Sequence, residues 1–459
     1  MSTSELTWKF PKDFWLANVM ELCERAAYYG FFILLTVYLT DLVGFSDLWG
    51  NTIAGGFAAF VYFLPPFSGA VSDRIGFKNG LMLAFGLLAV GYFFLGIFLT
   101  KAAVLFFLIV LMVGASFIKP LITGTVAKVS SEANRARAFS LFYWVVNIGA
   151  FSGKTVVPWI RKGLGLEYIN FFSAGMCVIA LVFALFFFKD IGVKEERKSL
   201  KEVSRALLKI LSSGRLMTLT IIISGFWLIQ GQLYASMPKY VLRMVGENAN
   251  PSWLANVNPF IVVVFVVGIT QLMRKTRAVT SMFVGMLIMP FSAFSMSLGP
   301  WLQTITGTEI SFIGGIIFHP LTIMMIVGIS LQGLAECFIS PRFLEYFSIQ
   351  APKGEEGTYL GFSHLHSFIS YLAGGVISGL LLSKYCPDPN SLPAGISAAE
   401  KTALYAHAHY IWYYFAAIGI AAALALFIFK LVTEYLDRKI LRIDLLKFIN
   451  KIITIFKMI

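Results

Sequence analysis

Long apolar runs separated by short polar and basic stretches dominate the chain. Twelve can be read, at roughly 14–43, 49–71, 78–99, 103–127, 138–160, 168–189, 216–242, 253–273, 278–298, 322–346, 356–383 and 406–432. Each holds about 20 or more residues, enough for a helix to cross a hydrocarbon core roughly 30 Å thick. Helices satisfy all their backbone groups internally, so runs of this length predict membrane-spanning helices. Residues 310–320 are apolar but too short to cross, and are expected to form a re-entrant or interfacial piece.

Composition agrees with the pattern. Of 459 residues, 58% are hydrophobic and 13% charged, where a soluble protein carries about 25% charged residues. The net charge of +13 then reflects basic loops on one face of a membrane, not a nucleic-acid footprint. Arg74 and Lys78 follow span two; Lys128, Arg135 and Arg137 follow span four; Arg274, Lys275 and Arg277 follow span eight. Between spans six and seven stand Lys194, Arg197, Lys198, Lys201, Arg205, Lys209 and Arg215. These are all even-to-odd connections, which puts both termini in the cytoplasm; Arg161 and Lys162 are exceptions.

The expected organisation is a six-helix bundle at 1–189, a basic cytoplasmic linker at 190–215 and a second bundle at 216–433. A basic tail or surface helix follows at 434–459. The polar segment Met1–Lys12 lacks the pattern of a cleaved signal peptide, so span one should be retained. Cys23, Cys177, Cys337 and Cys386 lie far apart with no CxxC spacing, which argues against a metal or redox role.

Within span one, Glu21, Glu24 and Arg25 stand at i, i+3 and i+4, on one helix face. Three ionisable groups in one turn are costly in hydrocarbon and mark a functional site or, more blandly, a structural ion pair. Two carboxylates beside one guanidinium leave one acid free to hold a proton, which is the chemistry of proton coupling.

Glu21-Leu-Cys-Glu24-Arg25-Ala-Ala-Tyr-Tyr29-Gly resembles the ExxERFxYYG motif of the proton-dependent oligopeptide transporter family, with Ala26 for its Phe. Five further segments agree in order. Gly69-Ala-Val-Ser-Asp73-Arg74-Ile-Gly76-Phe-Lys78 resembles the superfamily loop between spans two and three. Lys119-Pro120 in span four, Tyr143-Trp144-Val-Val-Asn147-Ile-Gly149 in span five, Asn258-Pro259 in span eight and Glu336 with Ser340-Pro341 in span ten match further family motifs. The resemblance implies an all-α membrane protein of the major facilitator fold, with 12 transmembrane helices in two six-helix halves. Substrate sites in such carriers lie near the midplane between the halves.

It also implies roles. Glu21, Glu24, Arg25 and Glu336 would couple protons to the conformational cycle. Lys119 would pair with Glu336 across the halves or with a substrate carboxylate. Tyr29, Tyr62, Asn147 and Asn258 would line the substrate pocket, together with Gln230, Ser363 and His364. Asp73 and Arg74 would gate the conformational change. The driving force is the proton gradient, with no cofactor and no metal. The partners are protons, a small-molecule substrate and the lipid bilayer, with no nucleic acid; the carrier is expected to be a monomer in a bacterial inner membrane.

The pattern departs from the family in three places. Phe32 stands where peptide carriers have an Arg, and Gly231 where they have an acid in span seven. Losing both is chemically consistent, because losing one alone strands a buried charge. A Trp usual in span eleven is replaced by Phe362-Ser363-His364-Leu365-His366; at most one of the two histidines should face a cavity, since i and i+2 point about 200° apart. Lys154 lies one heptad after Asn147: either a second pocket cation or a snorkelling group near the surface.

The reading that follows is a proton-coupled symporter of di- and tripeptides working by alternating access. A carrier of another carboxylate-bearing metabolite and a non-transporting receptor or scaffold are the alternatives. An enzyme built around His364 or His366 would need a nucleophile or metal set, and no HExxH or nucleotide-binding glycine loop is present.

Overall fold

The computed structural model describes residues 10–130, 135–189, 200–246, 249–273, 275–311, 317–350, 362–392 and 397–456. The first half contains α1 (Lys12–Phe32), α2 (Leu35–Leu42), α3 (Asp47–Phe63), α4 (Pro65–Ile75), α5 (Phe77–Ile97), α6 (Lys101–Val129), α7 (Arg135–Gly163) and α8 (Tyr168–Phe187). After α9 (Leu200–Leu211), the second half contains α10 (Gly214–Gln230), α11 (Ser236–Met244), α12 (Pro251–Leu254), α13 (Val257–Met273), α14 (Ala278–Ser297) and α15 (Gly299–Thr306). It ends with α16 (Pro320–Gln350), α17 (Leu365–Tyr385), α18 (Ala398–Tyr405) and α19 (Tyr410–Phe456).

Among the described residues nine helices are long and apolar enough to cross a membrane, and α1 with α2, bent by 44°, makes a tenth. The other two expected spans are the pair α3–α4, interrupted at Leu64 before Pro65, and α7, whose 29 residues include Lys154 and both terminal basic pairs. Polar content, not length, sets α7 apart.

Two large hydrophobic cores correspond to the two halves. One draws on residues from Leu16 to Phe188; the other is built almost wholly from Ile210 to Phe429, with Ile33, Leu34, Val37, Val157 and Ile169 reaching in from the first half. In the first half α1 packs on α7 and α8, and α5 on α6 and α8; in the second α14 packs on α16 and α19, and α10 on α17 and α19. The α1–α7 contact rests on Gly149 and Gly153, a GxxxG pair. A Cβ at Gly153 would stand 2.2 Å from the Ala26 carbonyl oxygen, so only glycine lets the backbones meet.

Within the described part of 310–320, Ile310–Ser311 pairs antiparallel with Ile317–Phe318 as a short ribbon. The linker contains the amphipathic α9, and the segment from 434 continues span twelve as unbroken helix through Phe456. The start of expected span eleven, up to residue 361, lies outside the described residues.

Candidate functional site

The α1 triad is buried as a unit. Arg25 Nε donates to Glu24 Oε2 and forms an ion pair with Glu21 Oε1 at 3.2 Å. All three side chains are nearly free of solvent. Glu21 Oε2 is buried and meets no hydrogen-bond donor among the described residues. A buried carboxylate oxygen without a donor is expensive, and a proton on it removes the charge. The guanidinium also faces two aromatic rings, Tyr28 at 5.4 Å and Tyr29 at 5.9 Å.

Prolines expose the next groups. Pro120 cannot donate to the carbonyl of Ser116 one turn back, and that carbonyl instead accepts Ser68 Oγ from α4 at 2.7 Å. Lys119, beside this break, places its ammonium 3.9 Å from the centre of the Tyr62 ring. Tyr62 stacks on Tyr371 of α17 at 5.7 Å and lies 6.1 Å from the His364 ring, so an aromatic strip crosses from one half to the other.

Glu336 of α16 is held from two directions: Gln230 Nε2 donates to its Oε2 at 3.0 Å, and Asn258 Nδ2 at 3.3 Å. The expected Lys119–Glu336 pair is not made. Lys119 sits over the Tyr62 ring, and Glu336 is bonded by Gln230 and Asn258 instead. The physical reason is helix direction. Lys119 points at the rings of its own half and His364, while α7 carries Lys154 to the break in span eight. In a double-mutant cycle read by thermal stability, Lys119→Ala and Glu336→Ala should therefore add to within roughly 0.5 kcal/mol. A coupling well above that would restore the direct pair.

The remaining candidates divide. Asn147 Nδ2 donates to the Tyr143 carbonyl of its own helix at 2.8 Å. Ser363 is buried next to His364. His366 is buried against Trp227 and Phe343, and its Nδ1 lies 3.1 Å from Ser367 Oγ. Asp73 and Arg74 sit in the last turn of α4, which ends at Gly76 with φ 87°; their side chains lie outside the described residues. Arg342 is buried, donating to Glu345 Oε2 at 2.6 Å and to the Met273 carbonyl that ends α13.

Phe32 and Gly231 do face each other. Both line one small cavity of about 20 Å³ together with Tyr234 and Tyr371, space for about one water. Phe32 packs on Tyr234 at 5.0 Å and on Tyr371 at 6.1 Å. The two departures from the family pattern thus meet as an apolar, aromatic contact between the halves.

Sequence reasoning missed the strongest ionic contact between the halves. Asp47, at the start of α3, accepts from Lys239 Nζ at 2.7 Å and from Arg243 Nη1 and Nη2 at 2.7 and 2.9 Å. Arg243 also donates to the Cys386 carbonyl at 2.6 Å and reaches Asp388 at 3.7 Å. The Asp47, Lys239 and Arg243 side chains are all buried. The available signal was Lys239 and Arg243 at i, i+4 inside an apolar span. Below this cluster, α3 and α17 lie backbone to backbone, since a Cβ at Gly55 would stand 2.3 Å from the Tyr371 carbonyl oxygen. Asn51 accepts from Ser378 at 3.3 Å across the same contact. The bundle is sealed at the end opposite the basic loops.

Two helical halves with buried acids and bases gathered where they meet define a two-bundle helical membrane fold. The chain belongs to the Major Facilitator Superfamily, whose sequence model matches residues 18–313. It is 29% identical over 242 residues to dipeptide and tripeptide permease B of Photorhabdus asymbiotica, covering 51% of this chain and 48% of that one. It is 31% identical over 243 residues to permease B of Salmonella typhimurium, with the same coverage. The chain spans about half the length of the permeases it matches. Among solved structures it superposes on a proton dependent oligopeptide transporter with a TM-score of 0.70 at 20% identity, covering 93% of this chain and 99% of that one. It superposes on a peptide transporter POT in complex with sulfate with a TM-score of 0.72 at 18% identity, covering 93% and 95%. These likenesses bear out the fold and the resemblance drawn from the span-one and span-five motifs.

Proposed function

We propose that this chain is a proton-coupled symporter of di- and tripeptides that works by alternating access, as a monomer. The observation that carries the reading is the buried Glu21–Arg25–Glu24 triad, with one carboxylate oxygen lacking a donor. Proton uptake at such a site changes the charge balance between the halves, and rocking of the halves moves the site from one membrane face to the other. Glu336, with Gln230 and Asn258, offers a polar acceptor on the second half; Arg25 and Lys119 offer cations on the first. A zwitterionic peptide has complementary ends. The permeases named above supply the solute class. The basic loops support a bacterial inner-membrane protein with both termini in the cytoplasm. The sealed end then faces outward, and the structure represents the state closed to the outside.

The test is uptake into proteoliposomes with an internal pH dye, using di- and tripeptides. Peptide-dependent acidification is expected. Glu21→Gln and Glu24→Gln should each fold and bind peptide, yet lose accumulation against a gradient. Accumulation that persists in both variants would remove the coupling assignment.

A further inference from the structure

Lys154 is 1% exposed and sits in α7, on the first half. Its partner belongs to the second half: Nζ donates to the Ala255 carbonyl at 3.2 Å. That carbonyl is available because Pro259, four residues on, has no N–H to give it. The contact belongs to a cross-half patch in which Asn256 donates to Thr155 Oγ1 at 2.9 Å and Trp253 Nε1 to the Thr155 carbonyl at 3.2 Å. The ammonium also stands 5.6 Å from the centre of the Tyr29 ring, whose centre is 5.9 Å from the Arg25 guanidinium carbon. No carboxylate pairs with it within 4 Å among the described residues, although it feels the charge of Glu336. A buried ammonium held by one neutral carbonyl is an uncompensated charge, and an anionic group entering beside it would be its counter-ion.

From this placement we infer that Lys154 sets charge selectivity, giving the carrier a preference for solutes of net negative charge, such as peptides with an acidic side chain. The inference rests on the peptide-symport reading. Arg25, Lys119 and Lys154 balance Glu21, Glu24 and Glu336, so the fully ionised site is neutral and one coupled proton makes it positive. Without Lys154 the protonated site would be neutral and would suit a zwitterion best. In a water-poor site, charge complementarity of this kind discriminates between solutes of equal size.

Wild type, Lys154→Gln, Lys154→Met and Lys154→Arg should be compared in proteoliposomes for uptake of Ala-Glu, Ala-Ala and Ala-Lys. Binding of the same peptides to purified protein is read by thermal shift. Wild type should rank Ala-Glu above Ala-Ala above Ala-Lys. The Ala-Glu to Ala-Ala ratio should fall about tenfold in the Gln and Met variants and be kept in the Arg variant. An unchanged ratio in a folded neutral variant overturns the inference and leaves peptide symport standing. Should neither neutral variant fold, the wild-type ranking decides, and equal handling of Ala-Glu and Ala-Lys overturns it. A wild type that neither binds nor carries any peptide removes the peptide reading and this inference with it.

Discussion

Asp47→Asn is expected to open the sealed end of the bundle. Lys239 and Arg243 are both buried, and Asp47 is the carboxylate between them at 2.7–2.9 Å. Removing one partner of a buried ion cluster leaves uncompensated charge, at about 3–5 kcal/mol. The cost falls on the closed state alone, since separating the halves returns both cations to water. A penalty of that size shifts the ratio of closed to open forms by roughly 150- to 5,000-fold. Spin labels at Lys101→Cys and Asn390→Cys, exposed on opposite halves at this end, would report it as a longer distance population; the four native cysteines are buried. A triple variant that also carries Lys239→Gln and Arg243→Gln should move back toward the closed form. A distance distribution indifferent to Asp47→Asn would show that the glycine-lined α3–α17 contact holds the seal by itself.

Phe32→Arg should be strongly destabilising alone and milder when joined to Gly231→Glu. Phe32 is packed among Tyr28, Tyr234 and Tyr371, in a cavity with room for about one water. A guanidinium there has no carboxylate to meet and loses roughly 3–5 kcal/mol of stability. A carboxylate at 231 starts from the same cavity wall. Its Cβ would lie 3.4 Å from the Tyr371 ring, which can turn aside. The double variant should recover thermal stability relative to Phe32→Arg. Equal unfolding temperatures would mean that the two positions do not form one contact, despite lining one cavity.

The helical class, the order of the apolar spans and the buried charges were legible in the sequence because lipid imposes strict rules on a chain. Apolar length decides what crosses, and an ionisable group inside a span is too costly to be incidental. The Glu21, Glu24 and Arg25 cluster could be read because its partners sit within one helical turn. The emptied pair at Phe32 and Gly231 was legible only through the family resemblance, since the two positions lie on different helices. Ionic partners distant in sequence were not legible. Lys119 and Glu336 were matched by charge, yet the structure gives Glu336 to Gln230 and Asn258 and turns Lys119 toward Tyr62. Lys239 and Arg243 drew no attention, because a cation in a span says nothing of which helix brings its counter-ion.

The alternation of apolar and polar stretches thus determined the class of protein, the helical architecture and the local constellation in span one. Which cation faces which carboxylate, and which end of the bundle is sealed, depended on how the two halves meet. That meeting is governed by glycine contacts between backbones and by carbonyls that prolines leave unpaired. Both are local features whose consequences appear only when another helix arrives at that point in space.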